Sequence, residues 1–106
     1  MRVYVSFPRK HKSEEEIMLT RKKLTEKLQK QGDEAVFWDN ELTLYTDEVQ
    51  QMDLWILANA IKSMSTCKQI CMGYGWEDDR LCCLEKFISE YSHMDWIKED
   101  EYGNLG

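Results

Sequence analysis

Leu81, Leu84, Glu85 and Ile88 follow the i, i+3, i+4, i+7 spacing of one helix face, and Glu85 is the charged residue among them. A carboxylate on a buried stripe loses hydration, so it needs a partner or a task that uses its altered proton affinity. A Glu at the edge of the stripe, reaching water, fits the same spacing. Glu77, Asp78 and Asp79 stand just ahead of this helix, where an Asp caps the first turn and acids meet the positive end of the helix dipole. Capping needs only one of them. Two carboxylates across a small pocket are also what breaks an N- or O-glycosidic bond, one as nucleophile and the other as acid or orienter. Tyr74 and Trp76 beside these acids would offer a flat apolar surface to a sugar or a base, or else pack as core or lid.

Other reactive side chains form no comparable set. Cys67, Cys71, Cys82 and Cys83 lack the spacing of a zinc ribbon or finger, and their placement on strand and helix reads as small buried hydrophobes. The vicinal pair Cys82-Cys83 suits no secreted disulfide ladder, so reduced thiols and a cytoplasmic location are expected. His11 and His93 have no recognisable partner. Gly73-Tyr-Gly75 lacks the remaining glycine and the lysine of a phosphate loop. Neither a metal nor an organic cofactor is expected, since carboxylate attack and departure of a base need neither.

With 106 residues, the chain is expected to build one compact core. Fourteen Lys and Arg against twenty Asp and Glu leave a net charge of −6, which disfavours long nucleic acids and anionic membranes and leaves single nucleosides or nucleotides as ligands. No apolar run is long enough for a signal peptide or a membrane span. Arg2 to Phe7 alternate as a strand that Pro8 stops, and Ser13 followed by Glu14, Glu15 and Glu16 opens a helix with Ile17, Leu24 and Leu28 on one stripe, ending at Gly32. Glu34 to Trp38 is a second strand, completing a βαβ unit, and residues 39–47 form a polar loop with aromatic tips. A helix from Val49 to about Met64 is apolar on more than one face. That breadth predicts a second contact surface around Met52, Trp55 and Ile56, as between subunits of a homo-oligomer. Lys68 to Met72 is the third strand. The next helix begins near Asp79 with Leu81, Leu84, Ile88 and Tyr91 as its buried stripe, and Asp95 to Ile97 adds a last strand. This order predicts a three-layer α/β domain over residues 1–98, built on a central parallel sheet of about four or five strands, with a frayed acidic tail over 99–106. The ligand site of such a domain lies at the carboxyl ends of the strands.

Val3-Tyr4-Val5 running into Ser6-Phe7-Pro8, the segment Ile61 to Cys67 leading into a strand, and above all Gly75-Trp76, Arg80, Cys82 and Glu85 at their particular spacing carry a resemblance over most of the chain. The chain resembles the nucleoside 2-deoxyribosyltransferase superfamily, especially a small phage and bacterial branch of deoxyribosyltransferase-like domains. The resemblance implies a flavodoxin-like (Rossmann-like) fold, with Glu85 attacking the anomeric carbon of a nucleoside to form a glycosyl-enzyme. It makes Tyr4 the residue that holds and polarises Glu85, and Asp79 a sugar contact, with Trp76, Phe7 and Arg80 also binding substrate. Neighbouring subunits of the family help to complete the site, which again implies a homo-oligomer. Asp79 stands where relatives acting on 5′-monophosphates tend to have Ser, which favours an unphosphorylated sugar. Asn59 stands where active relatives carry an Asp that handles the proton on the leaving base, Cys67 replaces an acid, and Leu81 replaces a glycine. Loss of general acid catalysis removes about two to four orders of magnitude of rate. Two expectations therefore stand together: a protein that cleaves or transfers the N-glycosidic bond of a nucleoside, and a non-catalytic nucleoside-, nucleotide- or protein-binding module that has lost the leaving-group acid.

Overall fold

The structure is a computed structural model that describes residues 1–43 and 45–106. Four strands, β1 (Arg2–Ser6), β2 (Glu34–Val36), β3 (Gln69–Met72) and β4 (Asp95–Lys98), form one sheet in the order β2-β1-β3-β4, with every pairing parallel. Three helices, α1 (Glu14–Lys30), α2 (Met52–Met64) and α3 (Arg80–Tyr91), connect them, and a single 3-10 turn over Trp76–Asp78 precedes α3. Tyr4 is in register with Val36 on one side and Ile70 on the other, and Ser6 with Met72. Among the described residues, no helix is long and apolar enough to cross a membrane.

The period of two along β1 sorts its side chains between two apolar clusters. Val3, Val5 and Phe7 pack with Leu24 and Leu28 of α1, while Tyr4 packs with Ile70 and Met72 of β3, Ala60 and Met64 of α2, and Cys82 of α3. A strand paired on both edges and covered on both sides is buried along nearly its whole length, as in parallel sheets generally. α1 starts with a complete capping box: the Glu16 amide donates to Ser13 Oγ at 3.1 Å, and the Ser13 amide donates to Glu16 Oε1 at 3.4 Å. It ends where Gly32 takes φ +82° and the Asp33 amide donates to the Leu28 carbonyl, a left-handed stop.

Three expectations are corrected. α2 begins at Met52, three residues later than the apolar pattern predicts, and its buried side chains are Asn59, Ala60, Ser63 and Met64. α3 buries Cys82, Glu85, Lys86 and Ser89, a face rolled about a third of a turn from the predicted stripe, with Ile88 half-buried at its edge and Leu84 and Tyr91 exposed. The reason lies on β1: Tyr4 and Ser6 bring two buried hydroxyls under α3, and only a polar face can satisfy them. Residues 99–106 do not trail away as a frayed tail. Glu99 and Leu105 form an antiparallel bridge, Leu105 packs on the α1 cluster, and Glu99 pairs with Lys27 of α1 at 2.5 Å.

Candidate functional site

Glu85 sits in the second turn of α3 and is 1% exposed, aimed at the carboxyl-terminal half of β1. The Tyr4 hydroxyl donates to Glu85 Oε2, and Ser6 Oγ donates to Oε1 at 3.1 Å. Tyr4 and Ser6 are two residues apart, so the strand presents both hydroxyls on one side. The chain leaves β1 for β2 on one side, and β3 lies on the other, so these groups stand at the switch point of the strand order. Ligands of open α/β sheets bind at such points.

Asp79 sets the helix in place. Its Oδ1 accepts from the Cys82 amide at 2.9 Å, capping α3. Gly73 brings the segment after β3 close to β1: its amide donates to the Ser6 carbonyl at 2.7 Å, and a Cβ there would lie 2.6 Å from Phe7 Cβ. Burial pushes the Glu85 carboxyl above the usual glutamate range, and the Tyr4 hydrogen bond, the Arg9 charge and the Ser6 hydrogen bond oppose it only in part. Burial and the neighbouring Glu85 charge push the Tyr4 phenol strongly up, so it stays protonated and remains a donor.

Tyr4, Ser6 and Glu85 line a cavity of about 20 Å³, walled by Phe7, Phe37 and Trp38. That is room for about one water. The hollow as it stands is smaller than a sugar, and a ring could reach Glu85 only if the walls move. Arg9 and Arg21 also line it; Arg9 stacks over Trp38 at 5.4 Å, and Arg21 lies 4.2 Å from the Phe37 ring centre and pairs with Asp39 at 2.9 Å.

The sequence-predicted residues therefore divide. Glu85, Tyr4 and Phe7 meet at the cavity. Asp79 and Arg80 line a separate, open groove of about 900 Å³ between the start of α2 and α3, and Arg9 borders both spaces. Trp76 packs edge-on against Trp96 with ring centres 6.1 Å apart, its indole N–H buried without a hydrogen-bond partner among the described residues. Asn59 is fully buried and lines neither space. Its Oδ1 accepts from the Thr43 amide at 2.6 Å and ties the loop after β2 to α2, while its Nδ2 donates to the Trp55 carbonyl one turn back in α2 at 2.8 Å.

Sequence reasoning missed Ser6, Arg9, Arg21 and Trp38. Ser6 carries a usable signal, being a hydroxyl two positions past Tyr4 on the same strand. Arg9 and Arg21 carry none, because a loop and a different helix bring them to the cavity. Among the described residues, no group of three or more His, Cys, Asp or Glu side chains is placed to hold a metal ion. The four cysteines are free thiols, and burial pushes that of Cys71 up to about 12. Chemically, the arrangement is a water-poor carboxylate held by two hydroxyl donors, with a guanidinium nearby to favour its charged form. No protein-family model, curated protein or solved structure matches the chain.

Proposed function

We propose that this chain is a nucleoside 2-deoxyribosyltransferase-like protein on a three-layer flavodoxin-like domain, binding a nucleoside or related N-glycoside and acting on its glycosidic bond through Glu85. The observation that carries the reading is the sealed Glu85 carboxylate held by Tyr4 and Ser6 at the switch point of the sheet. In the proposed reaction a carboxylate oxygen of Glu85 bonds to the anomeric carbon as the C–N bond breaks. The base leaves with the electron pair and takes a proton from solvent, since Asn59 carries no carboxyl and is buried away from the cavity. Water or a second base then attacks the same carbon and returns Glu85 as a carboxylate. Tyr4 and Ser6 hold the carboxyl in one orientation throughout, and the aromatic walls limit water around the reacting centre. The reading needs no cofactor, involves no long nucleic acid or membrane, and suits a cytoplasmic protein with reduced thiols.

The alternative, a binding module without turnover, is favoured by two observations: the hollow of about 20 Å³ and the full commitment of Asn59 to backbone partners. Incubation with a panel of 2′-deoxynucleosides and acceptor bases separates them. Free base or exchanged nucleoside, lost in Glu85→Ala, is the expected result. Activity that survives Glu85→Ala removes Glu85 from the mechanism, and silence with every nucleoside leaves the binding module.

A further inference from the structure

The groups around Glu85 hold no proton for a departing base. Among the described residues that line its cavity, the hydroxyls are those of Tyr4 and Ser6, and both donate to the carboxyl itself. Burial and the Glu85 charge keep the Tyr4 phenol protonated, which makes it a poor proton source. Arg9 and Arg21, the charged side chains beside them, are guanidiniums that keep their protons. A neutral base that leaves without a general acid forfeits about two to four orders of magnitude in rate. A base already cationic at its glycosidic nitrogen has no such need, because the electron pair of the breaking bond cancels its charge.

The cavity walls already hold a cation of that shape. The Arg9 guanidinium, planar and delocalised, lies over the Trp38 ring, 5.4 Å from its centre. Arg21, over Phe37, is paired with Asp39, whereas Arg9 has no ion-pair partner among the described residues. Arg9 also borders the open groove of about 900 Å³, where Asp53, Glu77, Asp78 and Asp79 stand, again outside every ion pair of the described residues. Turned toward the groove, Arg9 would exchange Trp38 for these carboxylates. It would leave behind an aromatic face next to Glu85, and the room that the hollow of about 20 Å³ lacks.

We propose that the N-glycoside taken by this site carries a cationic aromatic base, of the N-alkylated pyridinium class, which replaces the Arg9 guanidinium on Trp38. The inference deepens the reading of Glu85 as nucleophile and rests on it. A carboxylate oxygen of Glu85 bonds to the anomeric carbon as the C–N bond breaks. The electron pair stays on the ring nitrogen, so the base departs as a neutral pyridine and takes up no proton. Water then attacks the same carbon, Glu85 leaves as a carboxylate, and the spare proton of the water passes to solvent. A cation beside Glu85 favours the ionised form that attacks, the part Arg9 plays while the seat is empty of substrate. On this substrate, Asn59 in place of an acid costs nothing.

Base release from sugar-matched pairs tests it: nicotinamide riboside against adenosine, and the 2′-deoxy form of each, all corrected for hydrolysis without protein. In at least one pair the pyridinium glycoside should be cleaved about a hundredfold faster or more, the lower end of what a missing acid costs a neutral base. Glu85→Gln should abolish the release while circular dichroism stays unchanged. A preference below about tenfold in both pairs, with release still lost in Glu85→Gln, overturns the cationic base and leaves the Glu85 reading standing. Release that survives Glu85→Gln, or none from any of the four glycosides, overturns that reading and the inference with it. N-methylnicotinamide cation has no glycosidic bond to break and probes the seat alone. It should quench tryptophan fluorescence saturably, bind more tightly to Arg9→Met, which clears the Trp38 face, and lose the saturable quenching in Trp38→Leu. Binding that neither variant alters overturns the Trp38 seat.

Discussion

Replacing Tyr4 by Phe removes one hydroxyl and keeps the ring, so packing against Ile70 and Met72 should survive while Glu85 Oε2 loses its donor. A hydrogen bond to a buried charged group contributes about 1.5–3 kcal/mol, and a neutral one about 0.5–1.5 kcal/mol. The effect of Tyr4→Phe should therefore depend on pH. Glu85 in the folded chain holds its proton to higher pH than its ordinary value of 4.5, because burial disfavours the charge. Between these two values the native state binds more protons than the unfolded state, so the Glu85 contribution to stability is full below 4.5 and declines as pH rises through the folded value. Above that value Glu85 is ionised and most needs the phenol. Urea unfolding at a series of pH values should show a loss of about 1.5–3 kcal/mol for Tyr4→Phe on the alkaline side, shrinking to about 0.5–1.5 kcal/mol once Glu85 is protonated. Glu85→Gln should flatten the pH dependence that this carboxyl supplies. A Tyr4→Phe variant that loses the same stability at every pH, or none, would refute the coupling between phenol and carboxylate.

Asn59→Asp keeps an acceptor for the Thr43 amide and turns the donor facing the Trp55 carbonyl into an acceptor, so thermal unfolding should reveal a loss of about 1–3 kcal/mol. The same variant restores the carboxyl that the family resemblance places there. A nucleoside-cleavage rate that does not rise in it counts against a leaving-group role for position 59. Gly73→Ala should destabilise the chain by about 1–3 kcal/mol, because its Cβ would lie 2.6 Å from Phe7 Cβ and the two segments must separate; an unchanged urea midpoint would show that this approach is relaxed in solution.

Local patterns determined much about this protein without coordinates. Alternation in β1, the Ser13–Glu16 box, the stop at Gly32 and the Asp79 cap are short-range arrangements whose energies arise within a few residues, so they can be read along the chain. Glu85 also stood out, as a charge among Leu81, Leu84 and Ile88. Only the tertiary structure decided which way α3 rolls. Both of its sides repeat at helical spacing, one as Leu84, Phe87 and Tyr91 and the other as Cys82, Glu85 and Ser89, so periodicity alone favoured the apolar side. The hydroxyls of Tyr4 and Ser6, some eighty residues earlier, find their acceptor only when the Glu85 side turns inward, because a buried donor without an acceptor is costly. The meeting of Arg9 with the cavity, the tie between Asn59 and the loop after β2, and the return of Glu99 to Lys27 have the same character. Each joins groups distant along the chain, and its energy exists only once the sheet has brought them together.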